Sequence, residues 1–290
     1  MTARRGVTLT ELLAVTGGIS CLLALLLPAA IEVKGAAERT RCAVNLSQLG
    51  TALHVYAAEH DGYLPDCGAA SGLAGSPVPG RWNARGTCNW PRVKAVGNQA
   101  NLWLLVRGGY AEPGLFVCPA TPDRPSLNAA GDPTVMGFLA LDDVAAKPTA
   151  EESRFLSRIA GGRCSYSYQN QFVHPDVPPS VADPRNATTC VASHPASLAV
   201  VADRNPYTRP DGVRQPIVSP DDLPEANSLN HEGAGQNVLY LGGEVVWQDT
   251  PVCGPMRPDG TQDNIYWPDE GRPDDPENVP RTLYDSYLVP

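Results

Sequence analysis

The chain has 290 residues and a net charge of −9, with 27 glycines and 29 prolines against four phenylalanines and three methionines. That composition disfavours a helical bundle and points to short strands joined by long loops. Residues 201–290 carry 16 acids against six arginines, which disfavours a nucleic-acid-binding surface on that part of the chain.

The first element covers residues 6–28. It reads Gly-Val-Thr-Leu-Thr-Glu-Leu-Leu and then runs almost unbroken through apolar residues to Pro28. About 20 apolar residues suffice to cross a bilayer. The run holds one carboxylate, Glu11. A bare charge there costs roughly 2.5–3.5 kcal/mol on insertion scales, so Glu11 calls for a partner. A secretory signal peptide is one reading, with Arg4 and Arg5 as its basic n-region. Against it stand the length of the run, Glu11 and the lack of a clear small-x-small cleavage site. An ordinary anchor accounts for the length and the arginines but not for Glu11. The arginines favour a cytoplasmic N-terminus, with everything past about residue 31 outside the inner membrane.

Residues 31–60 continue with helical spacing. Leu46, Leu49, Leu53, Tyr56 and Ala57 form one apolar stripe, read as the face that packs on a sheet. His54 and His60 read as stalk-surface residues. Asp61-Gly62 and Pro65 are stop signals. Membrane and stalk segments together predict a rod of about 50 residues, roughly 75–80 Å long at 1.5 Å per residue. Gly17-Gly18, Pro28 and Gly35 are its weak points.

About 225 residues follow Pro65, enough for one sizeable core with insertions. Residues 66–100 read as an irregular insertion, 101–106 as a short helix, and 115–118, 165–168 and 198–202 as short strands. Residues 237–241 and 244–247 read as a β-hairpin around Gly242-Gly243, with a two-residue type I′ turn. His231 reads as a hydrogen-bonded loop residue bracing that hairpin, with a ligand or base as the alternative.

Of eight cysteines, Cys21 lies in the apolar run as a small filler. The other seven form no C-x-x-C pair, which weakens a zinc-ribbon reading. In an oxidising compartment disulfides are expected. Cys67–Cys88 closes the 66–100 insertion, while pairings among Cys118, Cys164, Cys190 and Cys253 stay open. Seven is odd, so at least one thiol is left free or pairs between subunits, and Cys42 on the stalk is the candidate. The acidic loops admit calcium, with Asp203, Asp259 and Asp263 as candidate ligands, although no EF-hand spacing occurs. No nucleophile elbow, P-loop, dinucleotide fingerprint or H-E-x-x-H is present, which argues against an enzyme.

Residues 4–13, Arg-Arg-Gly-Val-Thr-Leu-Thr-Glu-Leu-Leu, resemble the type III signal of type IV pilins and type II secretion pseudopilins. The resemblance implies cleavage after Gly6 by a prepilin peptidase and methylation of Val7, which stands where the family usually has Phe. It also implies that Glu11 pairs with the new α-amine of a neighbouring subunit, and that Pro28 is the helix-kinking proline. Cys42, Asn45, Leu46, Gln48 and Gly50, followed by Tyr56 and residues 61–65, are similar to the C-x-x-N-L-x-Q-L-G stalk of a pilin-like family abundant in planctomycete-type bacteria. The stretch from His231 to Gly243 resembles that family's H-x(9–10)-DG signature, with Gly242 in place of the aspartate.

The implied fold is α+β and pilin-like: a long N-terminal helix, membrane plus stalk, packed on an antiparallel β-sheet with large loop insertions. The implied segments are a leader (1–6), a transmembrane assembly helix (7–30), a stalk helix (31–62) and an extracytoplasmic globular domain (63–290), periplasmic or at the cell surface. The implied partners are the prepilin peptidase, other pilin-like subunits, an inner-membrane assembly platform and membrane lipid, and no nucleic acid. Major pseudopilins carry calcium in a C-terminal loop, which adds to the calcium expectation. A membrane-tethered binding module that does not assemble is the alternative to a structural subunit.

Overall fold

The computed structural model describes residues 8–65, 99–121, 126–127, 133–134, 164–169, 194–207, 226–268, 280 and 284–289. Helix α1 spans Leu9–Glu59, 51 residues without a break. Its start is a capping box: the Thr8 hydroxyl accepts from the Glu11 amide at 3.3 Å, and the Thr8 amide donates to Glu11 Oε2 at 2.8 Å. Helical structure continues through Gly17-Gly18, Pro28 and Gly35. The end is set by Asp61 and Gly62, both with left-handed φ (53° and 86°), and the Gly62 amide returns to the Ala57 carbonyl at 2.8 Å.

The helix divides sharply by burial. Residues 8–34 are exposed throughout, whereas Cys42, Leu46, Leu49, Gly50, Ala52, Leu53, Tyr56 and Ala57 are buried. The predicted stripe is therefore the docking face, at the three- and four-residue steps that keep side chains on one side of a helix. His54 and His60 are exposed, and His60 stacks on Tyr56 at 3.8 Å.

The helix packs against a five-stranded antiparallel sheet. Its strands are β3 (Tyr166–Gln169), β4 (Ala199–Asp203), β5 (Gln236–Tyr240), β6 (Val245–Gln248) and β9 (Leu288–Val289), in the order β6-β5-β4-β3-β9. Alternation along the strands sends Tyr166, Tyr168, Val201 and Leu239 into one core with Leu46, Leu49 and Leu53. The opposite face holds Ala202, Val238, Tyr240 and Leu288. It is covered by Ile265 and Tyr266 and by a second hairpin, β7 (Val252–Met256) with β8 (Gln262–Asn264). Helix α2 (Gln99–Arg107) adds Leu102 and Leu105 to the helix-side core. Two further pairs of residues, β1 (Ser126–Leu127) and β2 (Pro133–Thr134), form a separate short ladder.

Two local readings need correction. Residues 115–118 are not a strand, because a 3-10 helix occupies Pro113–Phe116. Proline at its first position fixes φ, and the Leu115 amide bonds back to Glu112 at 3.0 Å, so turn chemistry overrides the apolar run. The β5–β6 turn is not a two-residue type I′ turn. Leu239 pairs with Val245 and the Tyr240 amide donates to the Glu244 carbonyl, leaving a three-residue loop. The Gly243 amide closes it on the Tyr240 carbonyl at 2.8 Å, and only Gly243 has left-handed φ (89°). This is a type I turn followed by a G1 bulge.

Candidate functional site

Four buried side chains of metal-ligating type converge where α1 crosses the sheet. Cys42 comes from the first buried turn of α1. Cys118 follows the Pro113–Phe116 turn, Asp203 ends β4, and His231 ends a 3-10 helix, Leu229–His231. One ligand atom from each lies within 4.8 Å of all the others, and no other group of this kind occurs among the described residues. Cys42 Sγ is 3.2 Å from Asp203 Oδ1, His231 Nε2 is 3.4 Å from Asp203 Oδ2, and Cys118 Sγ is 3.6 Å from His231 Nε2.

Each group is held from behind. The Asn230 amide donates to Asp203 Oδ1 at 2.9 Å, and the Asn237 backbone amide donates to Asp203 Oδ2 at 2.7 Å. The Tyr166 hydroxyl lies 3.4 Å from Cys42 Sγ. Asn45 donates to the Val117 carbonyl at 3.0 Å, tying α1 to the residue before Cys118. The turn that presents His231 needs Ser228 as its cap and left-handed backbone at Glu232 and Gly233. Trp247 meets the His231 ring edge-on at 5.4 Å, and the Arg39 guanidinium covers Trp247 at 4.5 Å. A Cβ at Gly235 would lie 2.6 Å from Trp247 and 2.5 Å from the Gln248 carbonyl.

The electrostatics are those of a coupled acid–base group. Burial, reinforced by the hydrogen bond to Cys118 and the neighbouring Asp203 charge, holds the Cys42 thiol well above its ordinary value. Its hydrogen bond to Cys118, opposed by burial and aided by His231, brings the Cys118 thiol down to about 7. Burial pushes the His231 imidazole down, but its hydrogen bonds to Asp203 and Cys118 and their charges outweigh this and raise it to about 9.

No family model, curated protein or solved structure matches the chain.

The remaining expected site residues are dispersed. Cys42, the candidate for a thiol left free or paired between subunits, is a free thiol, and its complete burial leaves it no route to a second chain. Cys118 and Cys253 are free thiols. Cys253 belongs to the core on the far side of the sheet from Cys118 and Cys164, which prevents it from pairing with either. Cys67, Cys88 and Cys190 lie outside the described residues, as do Gly6 and Val7.

The three aspartates named for calcium do not come together. Asp203 sits with two thiols, Asp263 is buried against Arg257 at 2.6 Å, and exposed Asp259 caps its own turn through Thr261. Leu46 is core, Gln48 is exposed, and Gly50 lets α1 approach β5 closely, since a Cβ there would lie 2.9 Å from Leu239. Glu11 and Pro28 stand on the exposed half of α1, and Gly242-Gly243 form the β5–β6 turn. Asn230, Asn237 and Trp247 escaped the sequence reading. Each does its work through a partner distant in sequence, and no local motif marks such a role.

The second feature of functional weight is the free half of α1. It is the one helix among the described residues long and apolar enough to cross a membrane. Leu9, Leu12, Leu13, Val15, Ile19 and Leu22 are all more than half exposed, so none of them serves the head's core.

Proposed function

We propose that the chain is a membrane-anchored pilin- or pseudopilin-like structural subunit, processed after Gly6 and assembled through its N-terminal helix. The assembly is a type IV pilus or a type II secretion pseudopilus. The observation that carries this reading is the division of α1: one continuous helix whose C-terminal half is sealed onto a sheet and whose N-terminal half offers an unpaired apolar surface. An anchor needs only the apolar run. Assembly also explains Glu11, the single acid within it.

The chemistry follows from charge in a low dielectric. Cleavage after Gly6 creates an α-ammonium group on Val7 at membrane depth. Two opposite charges that cannot reach water lower their joint cost by pairing. In the monomer Glu11 is occupied by the Thr8 amide and hydroxyl, both at 2.8 Å. A neighbour's ammonium group offers a stronger, charge-assisted partner in their place. Arg4 and Arg5 orient the helix with its N-terminus in the cytoplasm, which puts the head in the periplasm or at the cell surface. The prepilin peptidase, the assembly platform and other pilin-like subunits are then the partners. The head is a packing and display module rather than an enzyme. Its one cluster of reactive groups among the described residues is sealed under the helix, which supports that reading.

Glu11→Ala tests the proposal. The variant is expected to insert in the membrane at the normal level and to leave assembled material reduced by at least about 10-fold. Normal filaments from this variant would refute assembly through Glu11. Correct processing of the wild-type chain with no filaments would favour the tethered binding module.

A further inference from the structure

We propose that Cys42, Cys118, Asp203 and His231 form a closed, structural zinc site that clamps the stalk helix to the head. The inference does not rest on the pilin-like reading.

Geometry comes first. Zinc bonds of about 2.3 Å to sulfur, 2.0–2.1 Å to nitrogen and 2.0–2.2 Å to oxygen, at tetrahedral angles, place neighbouring ligand atoms about 3.3–3.8 Å apart. Cys118 Sγ and His231 Nε2 are 3.6 Å apart, His231 Nε2 is 3.4 Å from Asp203 Oδ2, and Cys42 Sγ is 3.2 Å from the other carboxylate oxygen, Oδ1. Four ligand atoms mutually within 4.8 Å therefore need only small side-chain adjustments to enclose one ion.

The donor set selects the metal. Two thiolates and an imidazole are soft and borderline ligands, which calcium and magnesium do not take, whereas zinc accepts sulfur, nitrogen and a single carboxylate oxygen together. Four protein ligands leave no open position, and all four residues are buried, so the site is structural rather than catalytic.

The surroundings complete the case. Asn230 and the Asn237 amide donate to the two carboxylate oxygens of Asp203, and the Tyr166 hydroxyl is placed to donate to Cys42 Sγ. Donors directed at the anionic ligands are what an outer shell supplies to fix orientation and spread charge. On binding, each thiol gives its proton to water and both sulfur–metal bonds form from the thiolates, while neutral His231 binds through Nε2. An imidazolium at His231 releases a further proton. No oxidant takes part, and the zinc comes from free divalent ion.

The ligands come from four separate elements, 42, 118, 203 and 231 along the chain. One ion therefore closes three long loops and fixes α1 across β4 and the turn before β5. The natural competitor is a disulfide between Cys42 and Cys118, which would consume two ligands and exclude the metal.

The test uses the full chain, purified in mild detergent without chelator, and reads metal by mass spectrometry. The expected result is about one zinc per chain, falling to less than about a tenth in Cys118→Ser and His231→Ala, as loss of a ligand from a closed site predicts. Cys118→His keeps four ligands and is expected to retain the metal. The wild-type chain loaded with cobalt is read without any variant. It should show the intense visible bands of a tetrahedral ion and a thiolate charge-transfer band. Wild-type chain without bound zinc and with a Cys42–Cys118 linkage in its peptide map would overturn the proposal. So would a six-coordinate cobalt spectrum without thiolate charge transfer, or zinc content unchanged in Cys118→Ser and His231→Ala.

Discussion

Gly50 sits where α1 crosses β5, and replacing it with alanine sets two opposing effects against each other. In a helix interior, alanine is favoured over glycine by about 0.8–1.0 kcal/mol. Against this, the added Cβ would lie 2.9 Å from Leu239 Cδ1 and 3.4 Å from Cδ2. Normal carbon–carbon separation is about 3.5–4.0 Å, so Leu239 or the helix must yield by more than half an ångström. Leu239 is only 1% exposed and is enclosed by the same core as Leu46, Leu49 and Leu53. Overpacking of this kind costs about 1–3 kcal/mol. The penalty outweighs the propensity gain over most of its range, and Gly50→Ala is expected to destabilise the head by up to about 2 kcal/mol. Gly35 is the control, because a Cβ there meets nothing within 4 Å. Gly35→Ala is expected to range from no change to a gain of about 1 kcal/mol. Urea unfolding of the detergent-solubilised chain, followed by intrinsic fluorescence, measures both. Leu239→Val in the Gly50→Ala background should recover part of the loss, with a coupling of about 0.5 kcal/mol or more. If Gly50→Ala stabilised the head as much as Gly35→Ala, the close helix–strand crossing would be wrong.

Other outcomes follow from the same packing. Leu49 is fully buried between helix and sheet, so Leu49→Ala should cost about 2–5 kcal/mol in the same urea assay. Gly235→Ala should destabilise the head and shift Trp247 emission, because backbone and ring both occupy the new Cβ position and φ is 151°. Asp263→Ala leaves the Arg257 guanidinium without its carboxylate. Breaking a fully buried pair costs about 3–5 kcal/mol, and the value here should be lower because the Arg257 side chain is 25% exposed. Equal melting temperatures for Asp263→Ala and wild type would remove that ion pair from the account.

The sequence exposed the long-range order of the molecule more readily than its joints. The apolar run from Leu9 and the stripe of Leu46, Leu49, Leu53 and Tyr56 announced one helix with two environments, because a 3.6-residue period is local information. The hairpin at residues 236–248 was equally legible from two apolar strands around a glycine pair. Its turn type was not, because the register depends on which carbonyls the Tyr240 and Gly243 amides find, those of Glu244 and Tyr240 respectively. Residues 115–118 were misread because hydrophobicity marks burial without marking conformation, and Phe116 and Cys118 are indeed buried. The cluster was the least legible part. Cys42 and His231 were named for a family signature, Cys118 for a disulfide and Asp203 for calcium. Only the antiparallel pairing of β3, β4 and β5 beneath α1 brings the four together. Ligands so far apart in sequence carry no spacing signal.

The measurement that tests the central claim most directly is N-terminal mass spectrometry of the chain extracted from membranes of cells with an intact prepilin peptidase. The account predicts a mature chain that begins at N-methylated Val7, with residues 1–6 removed. An intact N-terminus at Met1 would contradict it, and would leave the apolar half of α1 as an anchor alone.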